Sequence, residues 1–204
     1  MSVPAATLPR RSQARGLWGL VLFVATESVL FGCLVGSYFY LRVKSVDWPP
    51  AGVPEPEALW PLVLTGALVA TSVPMHAAWR LGRAGRARAA LGALCLAGAV
   101  QVAYLVIALQ RYADDVRAHP PAQHAYTSIT HLLSGADHLH VAVGILFTLF
   151  LAAKLLDGRL TGYRLVGLRA AAWYWHAVSA NHCIASRRAR LIGAASAPRG
   201  RRGG

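Results

Sequence analysis

Residues Leu17 to Leu41 read LWGLVLFVATESVLFGCLVGSYFYL, a run of 25 residues with a single charged side chain, Glu27. The hydrocarbon core of a bilayer is about 30 Å thick, and about 20 apolar residues in a helix cross it. Backbone groups in lipid need hydrogen-bond partners within their own segment, which favours an α-helix. The run therefore predicts a transmembrane helix, and it is too long for the apolar region of a cleavable signal peptide.

Further apolar runs of membrane-spanning length follow along the chain. The predicted spans are residues 17–41, 59–79, 89–110, 126–153 and 170–186. The fifth has only 17 residues and is interrupted by histidine and asparagine. The sequence thus predicts an all-α, polytopic transmembrane bundle with four full spans and a shorter, interrupted fifth. Pro74 predicts a kink in the second span, because proline cannot donate the helical hydrogen bond.

The charge of the 204-residue chain fits a membrane protein better than other classes of basic protein. Hydrophobic residues make up 55% of the sequence, and 21 Lys and Arg against 8 Asp and Glu give a net charge of +13. This composition excludes an ordinary soluble enzyme. Eleven basic residues lie in the N-terminal tail (1–16) and the loops after spans two and four, against four in the opposite loops. Because Lys and Arg favour the cytoplasm, the N-terminus is predicted to be cytoplasmic, and nucleic acid is not needed as a partner.

The C-terminal segment, residues 187–204, departs from this distribution. It holds six arginines, although five complete spans would place it on the outer side. Its composition predicts a disordered tail. Either the fifth segment does not cross the membrane or the tail is an exception to the rule that positive charge stays inside.

Glu27, ten residues into the first span, is the first candidate for function. A carboxyl group at that depth is costly unless it is protonated or paired, so an intramembrane acid is a functional hypothesis by default. The alternative is a protonated glutamate that only packs the bundle. No glycine-rich phosphate loop, activated nucleophile, or haem or copper ligand pattern accompanies it, so no catalytic residue is predicted.

A dense polar cluster in the fourth span is the second candidate. On a helix, His131 and His138 share one face, while Asp137 and His140 share another. Because the possible ligands diverge, hydrogen bonds between helices are favoured over a metal site. Gly135 and Gly144 in the same span would let a neighbouring helix approach closely, as small residues do in membranes; the cluster residues are His131, Asp137, His138 and His140.

Aromatic residues in the fifth segment form a third feature. Trp173 and His176 follow Arg169, a combination typical of the membrane interface, and a lipid headgroup site is the more specific alternative. The first outer loop, Trp48-Pro49-Pro50-Ala51-Gly52, cannot be helical and predicts a stiff connector at the membrane surface.

Four segments in order resemble subunit III of the haem–copper oxidases, especially its short five-helix bacterial form. They are residues 22–31 around Glu27, the Trp48-Pro49-Pro50-x-Gly52 loop, residues 134–141, and residues 171–176. The resemblance implies two V-shaped groups of helices around a lipid-filled cleft. It also implies a subunit without redox centres in a bacterial inner membrane, beside subunits I and II that hold haem and copper.

The same resemblance implies roles for individual residues. Glu27 would be the buried acid related to proton uptake, and His140 and His176 match histidines of the family's motifs. Arg169 and Trp173 would contact phospholipid or a neighbouring subunit. The family supports the stability and proton uptake of an oxygen-reducing, proton-pumping core.

Departures from the family pattern leave other functions open. Asp137 stands where the family has histidine, and His138 where it has glycine. The sequence after His176 lacks the family's continuation, which we interpret as a frameshift or a degenerate C-terminus. One alternative is an accessory subunit of a nitric oxide reductase system. Another is a metal-dependent membrane enzyme or small transporter that uses the histidines and Asp137 of the fourth span.

Overall fold

Six α-helices account for nearly all of the described structure, a computed structural model that describes residues 10–53, 59–158 and 160–196. They are α1 (Arg10–Lys44), α2 (Leu59–Ala70), α3 (Ser72–Arg83), α4 (Ala87–Ala118), α5 (Ala125–Leu155) and α6 (Gly162–Ser196). Four stretches are long and apolar enough to cross a membrane: Trp18–Lys44, Leu62–Arg83, Ala87–Ala118 and Ala125–Leu155. The predicted all-α class is confirmed, and the chain is a multi-pass membrane protein.

Helices α2 and α3 follow one another with a break of one residue at Thr71, and Leu62–Arg83 is one stretch long enough to cross a membrane. The Thr71 hydroxyl donates to the Leu68 carbonyl at 2.6 Å, and the Thr71 amide donates to the Ala67 carbonyl at 3.2 Å. Pro74 lies one turn later and cannot donate to the carbonyl of Ala70. The helix is therefore interrupted one turn before Pro74, where the Thr71 hydroxyl supplies a hydrogen bond, and the kink itself stays a prediction.

The helices form a four-membered ring with one helix outside it. One side of the ring is formed by α2 and α3 together. The other three sides are α4, α5 and α6 in that order, and α6 closes the ring by packing against α2 and α3. Within the described residues, the backbones of α4 and α6 lie at opposite corners and make no direct contact. Helix α1 packs in the groove between α5 and α6. The expected pair of V-shaped groups around a cleft is wrong for these residues, because α5 and α6 contact both α1 and the rest of the ring.

Both ends of the bundle are more helical than the sequence predicts. Residues 10–16 were expected in the N-terminal tail but belong to α1, and residues 187–196 were expected to be disordered but continue α6. The segment 187–196 reads RRARLIGAAS, and Arg, Ala and Leu are strong helix formers, which favours continuation. The rest of both tails, residues 1–9 and 197–204, lies outside the described residues.

The face that α4 buries is lined mostly by small side chains at three- and four-residue steps. They allow close packing of neighbouring helices, which is a main source of helix association in lipid. Two polar residues lie on the same face, and Gln101 is completely buried. The buried positions are Ala90, Leu94, Ala97, Gly98, Gln101, Tyr104 and Ala108.

The first outer loop is fixed by aromatic packing between α1 and α5. The Trp48 indole donates to the Tyr38 hydroxyl at 3.0 Å, and its ring meets the Tyr126 ring edge-on at 4.9 Å between centroids. Phe31 and Leu133 belong to the same cluster of buried apolar side chains as Tyr38 and Tyr126. The loop is therefore anchored to the bundle by its tryptophan, a contact that the sequence pattern did not predict.

Helices α5 and α6 pack closely at Gly144, where the sequence predicts the close approach of a neighbouring helix. A Cβ atom on Gly144 would lie 2.7 Å from Cζ2 of Trp175 and 2.8 Å from Cε1 of Tyr174. Trp175 is completely buried, and its indole donates to the Thr148 hydroxyl at 3.1 Å. The glycine therefore makes room for two rigid rings that the rest of the interface holds in place.

Replacing Gly144 should weaken this contact. Gly144→Ala is expected to cost about 1–3 kcal/mol, because an extra methyl group in a packed core forces neighbours to move. Gly92→Ala on α4 is the matched control, since nothing lies within 4 Å of its added Cβ, and alanine there should stabilise the helix. The measurement is the thermal unfolding midpoint in detergent. A Gly144→Ala protein as stable as the parent would contradict this account of the interface.

Candidate functional site

Glu27 and His140 form a contact between α1 and α5. Oε2 of Glu27 bonds to Nε2 of His140, across 113 residues of sequence. Both side chains are mostly but not fully buried, with 22% of Glu27 and 13% of His140 exposed. The structure therefore pairs the intramembrane acid with a histidine of the predicted polar cluster.

The partners of His140 fix where its protons lie. Nδ1 of His140 is 2.5 Å from the carbonyl oxygen of Ala136, which can only accept, so Nδ1 carries a hydrogen. The bond between Nε2 and Glu27 then shares a single proton. The pair is either a neutral carboxylic acid donating to imidazole or a carboxylate accepting from imidazolium. In both states the pair has no net charge, which lowers the cost of burying an acid in lipid.

Aromatic side chains from α1 and α6 surround this pair. The Tyr174 hydroxyl donates to the backbone carbonyl of His140 at 2.8 Å, and the Phe31 ring meets the His140 ring at 5.1 Å. Phe23 lies 6.1 Å from Tyr174, between ring centroids. Side chains of α1, α5 and α6 therefore meet around the Glu27–His140 pair, which shares one proton.

The other polar residues of the fourth span point to different neighbours. His131 and His138 share a face, as predicted, and both meet the Tyr112 ring of α4, at 5.8 Å and 5.4 Å between centroids. Asp137 instead faces α6, where its Oδ2 is 2.6 Å from Nδ1 of His182. Within the residues described, no cluster of three or more His, Cys, Asp or Glu side chains is placed to hold a metal ion.

His131 lies near the end of the ring where α4 ends and α5 begins, and it joins these two helices. Its Nε2 is 2.8 Å from the His119 carbonyl oxygen and therefore donates to it. Its Nδ1 lies 3.6 Å from an Asp115 carboxylate oxygen, whose partner oxygen is 3.3 Å from Nδ1 of His119. These contacts are those of a structural clamp between two helices.

The predicted interface residues lie on the exposed side of α6. The Arg169 guanidinium lies 5.0 Å from the Trp173 ring centroid, a cation–π contact, and Trp173 is 45% exposed. His176 is also exposed, and its ring lies 6.3 Å from that of His76 on α3. His176 thus faces α3.

Three residues of the interior were not identified from the sequence as site residues. Tyr104 meets the His182 ring at 5.9 Å between centroids, and Gln101 lies one turn away from Tyr104 on α4. A glutamine in the middle of an otherwise apolar span was the available signal for this part of the ring. The partner of Asp137 could not be found in this way, because it depends on how α5 and α6 pack.

Comparison with known families agrees with this arrangement. A sequence model described as "Cytochrome c oxidase subunit III" matches residues 10–182, which include both polar pairs. The chain belongs to this family. The resemblance to subunit III is therefore confirmed, whereas the short bacterial form stays a prediction.

Relatives named "Cytochrome c oxidase subunit 3" come from several animals. The chain is 28% identical to the protein of Pisaster ochraceus over 174 residues, covering 82% of this chain and 66% of the relative. It is 28% identical to that of Gallus gallus over 167 residues, covering 79% and 63%. The protein of Locusta migratoria is also 28% identical over 173 residues, covering 81% and 65%. The chain thus spans just under two thirds of the length of these subunit III relatives.

Substitutions at Glu27 should distinguish the contribution of the Glu27–His140 bond to stability from the insertion of α1 into the membrane. Glu27→Gln keeps a donor for Nε2 of His140, so membrane insertion and stability should change little. Glu27→Ala leaves a buried imidazole nitrogen unpaired and is expected to cost about 1–3 kcal/mol. The measurements are alkali-resistant membrane association and thermal unfolding in detergent.

Asp47→Asn, which changes an exposed acid of the first outer loop, is the control and should behave like the parent. Loss of insertion in Glu27→Gln would contradict this expectation and would show that a carboxylate–imidazolium ion pair, rather than a neutral hydrogen bond, holds α1 in place.

Proposed function

We propose that the chain is the third subunit of a respiratory haem–copper oxidase that reduces oxygen and pumps protons. In this proposal it stabilises the catalytic core and supports proton uptake, and it has no redox centre of its own. Haem and copper are held by subunits I and II. The observation that carries the proposal is the family match over residues 10–182 together with an intramembrane acid, Glu27, paired within it.

The surface of α1 supports an assembly partner. Helix α1 contacts only α5 and α6 among the described helices, and large apolar side chains cover much of its remaining surface. Such a surface fits lipid or another membrane subunit, and Glu27 lies within the same helix. Exposed members include Trp18, Leu22, Val29, Leu30, Tyr40 and Val43.

Location and lipid contacts follow from the distribution of charge. We propose a bacterial inner membrane with the N-terminus in the cytoplasm, because eleven basic residues fall on that side. Arg169 beside Trp173 would contact a phospholipid headgroup there, with the indole at the interface and the guanidinium on the phosphate. The electron donor to the complex is cytochrome c or quinol.

Purification from native membranes tests the assembly. The tagged chain should copurify with a haem-bearing subunit I and a copper-binding subunit II, identified by absorption spectra and mass spectrometry. Copurification with a nitric oxide reductase would instead support the accessory-subunit alternative. A chain that purifies alone with stoichiometric metal, lost in His138→Ala, would favour the metal-dependent enzyme or transporter and overturn the proposal.

Removing the chain should shorten the time for which oxygen consumption is sustained more than it lowers the initial rate of oxygen consumption. In membranes without it, oxygen consumption is expected to start near the parental rate and then decline several-fold faster during sustained turnover. Glu27→Gln should assemble normally and show part of this decline, whereas Asp47→Asn should match the parent. Equal decay in all four samples would contradict a role in supporting proton uptake.

A further inference from the structure

The interior of the four-helix ring contains polar side chains that the Glu27–His140 pair does not use. Tyr104 of α4 and His182 of α6 meet across the ring, although the backbones of these helices are not in contact among the described residues. Asp137 of α5 bonds to His182 at 2.6 Å. Three helices therefore direct polar groups toward one region of the interior.

Several polar atoms around this region have no hydrogen-bond partner among the described protein residues. Three of the side chains are almost completely enclosed: Gln101 is 0%, Tyr104 3% and Ser179 6% exposed. The atoms are Nε2 and Oε1 of Gln101, the hydroxyls of Tyr104 and Ser179, Nδ1 of His138, and Nε2 of His182. Leaving each such atom unpaired costs about 1–3 kcal/mol, so partners outside the protein are strongly favoured.

The spacing of these residues along their helices places the unpaired atoms within one turn of the Tyr104–His182 contact. Gln101 precedes Tyr104 by three residues on α4, and Ser179 precedes His182 by three residues on α6. Residues three apart share a face of a helix. Because α4 and α6 are separated by two crossings, they run in the same direction, so Gln101 and Ser179 both lie one turn before the Tyr104–His182 contact.

The mixture of donors and acceptors selects the ligand. The Gln101 amide and the Tyr104 and Ser179 hydroxyls can both donate and accept, and imidazole nitrogens do one or the other. An anion would meet the Asp137 carboxyl group, and a metal ion would need several acceptors, whereas water can satisfy both kinds of group. A buried water typically makes about three hydrogen bonds to such otherwise unpaired atoms.

We propose that the ring holds ordered water between α4 and α6, and that this water exchanges a proton with the Asp137–His182 pair. His182 takes a proton on Nδ1 from the Asp137 carboxyl group and releases the proton on Nε2 to water. One O–H bond breaks at Asp137 and one N–H bond forms at Nδ1, while the Nε2–H bond breaks and a hydronium O–H bond forms. The site is separate from Glu27 and His140, which join α1 to α5.

Infrared difference spectroscopy on the purified full-length protein, in whatever complex it forms, tests the water directly. An O–H stretching band that shifts when ordinary water is replaced by H₂¹⁸O is expected in the parent. The band should be lost or displaced in Gln101→Leu and in Ser179→Ala. Gln110→Leu, on the same helix but exposed, should leave it unchanged. No ¹⁸O-sensitive band, or one that neither interior variant alters, would overturn the proposal.

Stability provides a second readout if one variant folds poorly. In a dry interior, Gln101→Leu removes an unpaired amide and should raise the thermal unfolding midpoint. In a hydrated interior the same change removes bridging hydrogen bonds and should lower it. A carboxyl band that disappears in Asp137→Asn and responds to H₂O/D₂O exchange would support proton exchange with water. An Asp137 band insensitive to this exchange would contradict it.

Discussion

A polar atom in lipid has no solvent to bond, and this constraint shapes every level of the molecule. It makes the spans helical, because only a helix satisfies the backbone within one segment. It also decides how the helices associate, since lipid gives apolar surfaces little reason to prefer one another. Small residues such as Gly144 therefore allow two helices to pack closely, and polar side chains form hydrogen bonds with partners on neighbouring helices. The Glu27–His140 and Asp137–His182 contacts are two results of the same requirement.

The two pairs occupy different positions with respect to the ring. Glu27 and His140 lie in the groove where α1 meets α5, partly exposed at the edge of the bundle. Asp137 and His182 face the interior between α4, α5 and α6. In each pair the nitrogen that does not meet the acid has its own surroundings, a carbonyl for His140 and no described protein partner for His182. The protein alone therefore supplies hydrogen-bond partners for both nitrogens of His140. Nε2 of His182 has no such partner among the described residues.

Sequence reasoning predicted the fold class, four apolar stretches of membrane-spanning length and the close packing at Gly144, because these depend on local composition and spacing. It also predicted that His131 and His138 share a face, which follows from helical periodicity. It did not predict which helix each face meets. The partners of Glu27 and Asp137, the anchoring of Trp48 and the buried Gln101 depend on contacts between residues far apart in sequence. The length of α6 is not predicted from the sequence, because a run of arginines is typical of a disordered tail as well as of a helix.

The position of α1 has a consequence for biosynthesis. It leaves the ribosome before the other described helices, but its only described neighbours, α5 and α6, follow much later in the chain. Glu27 must wait for His140, which is 113 residues later. At synthesis rates of about 5–20 residues per second, the delay is about 6–23 s. During that time α1 holds an acid without its histidine partner in the bilayer or its insertion machinery, an arrangement that is costly in lipid.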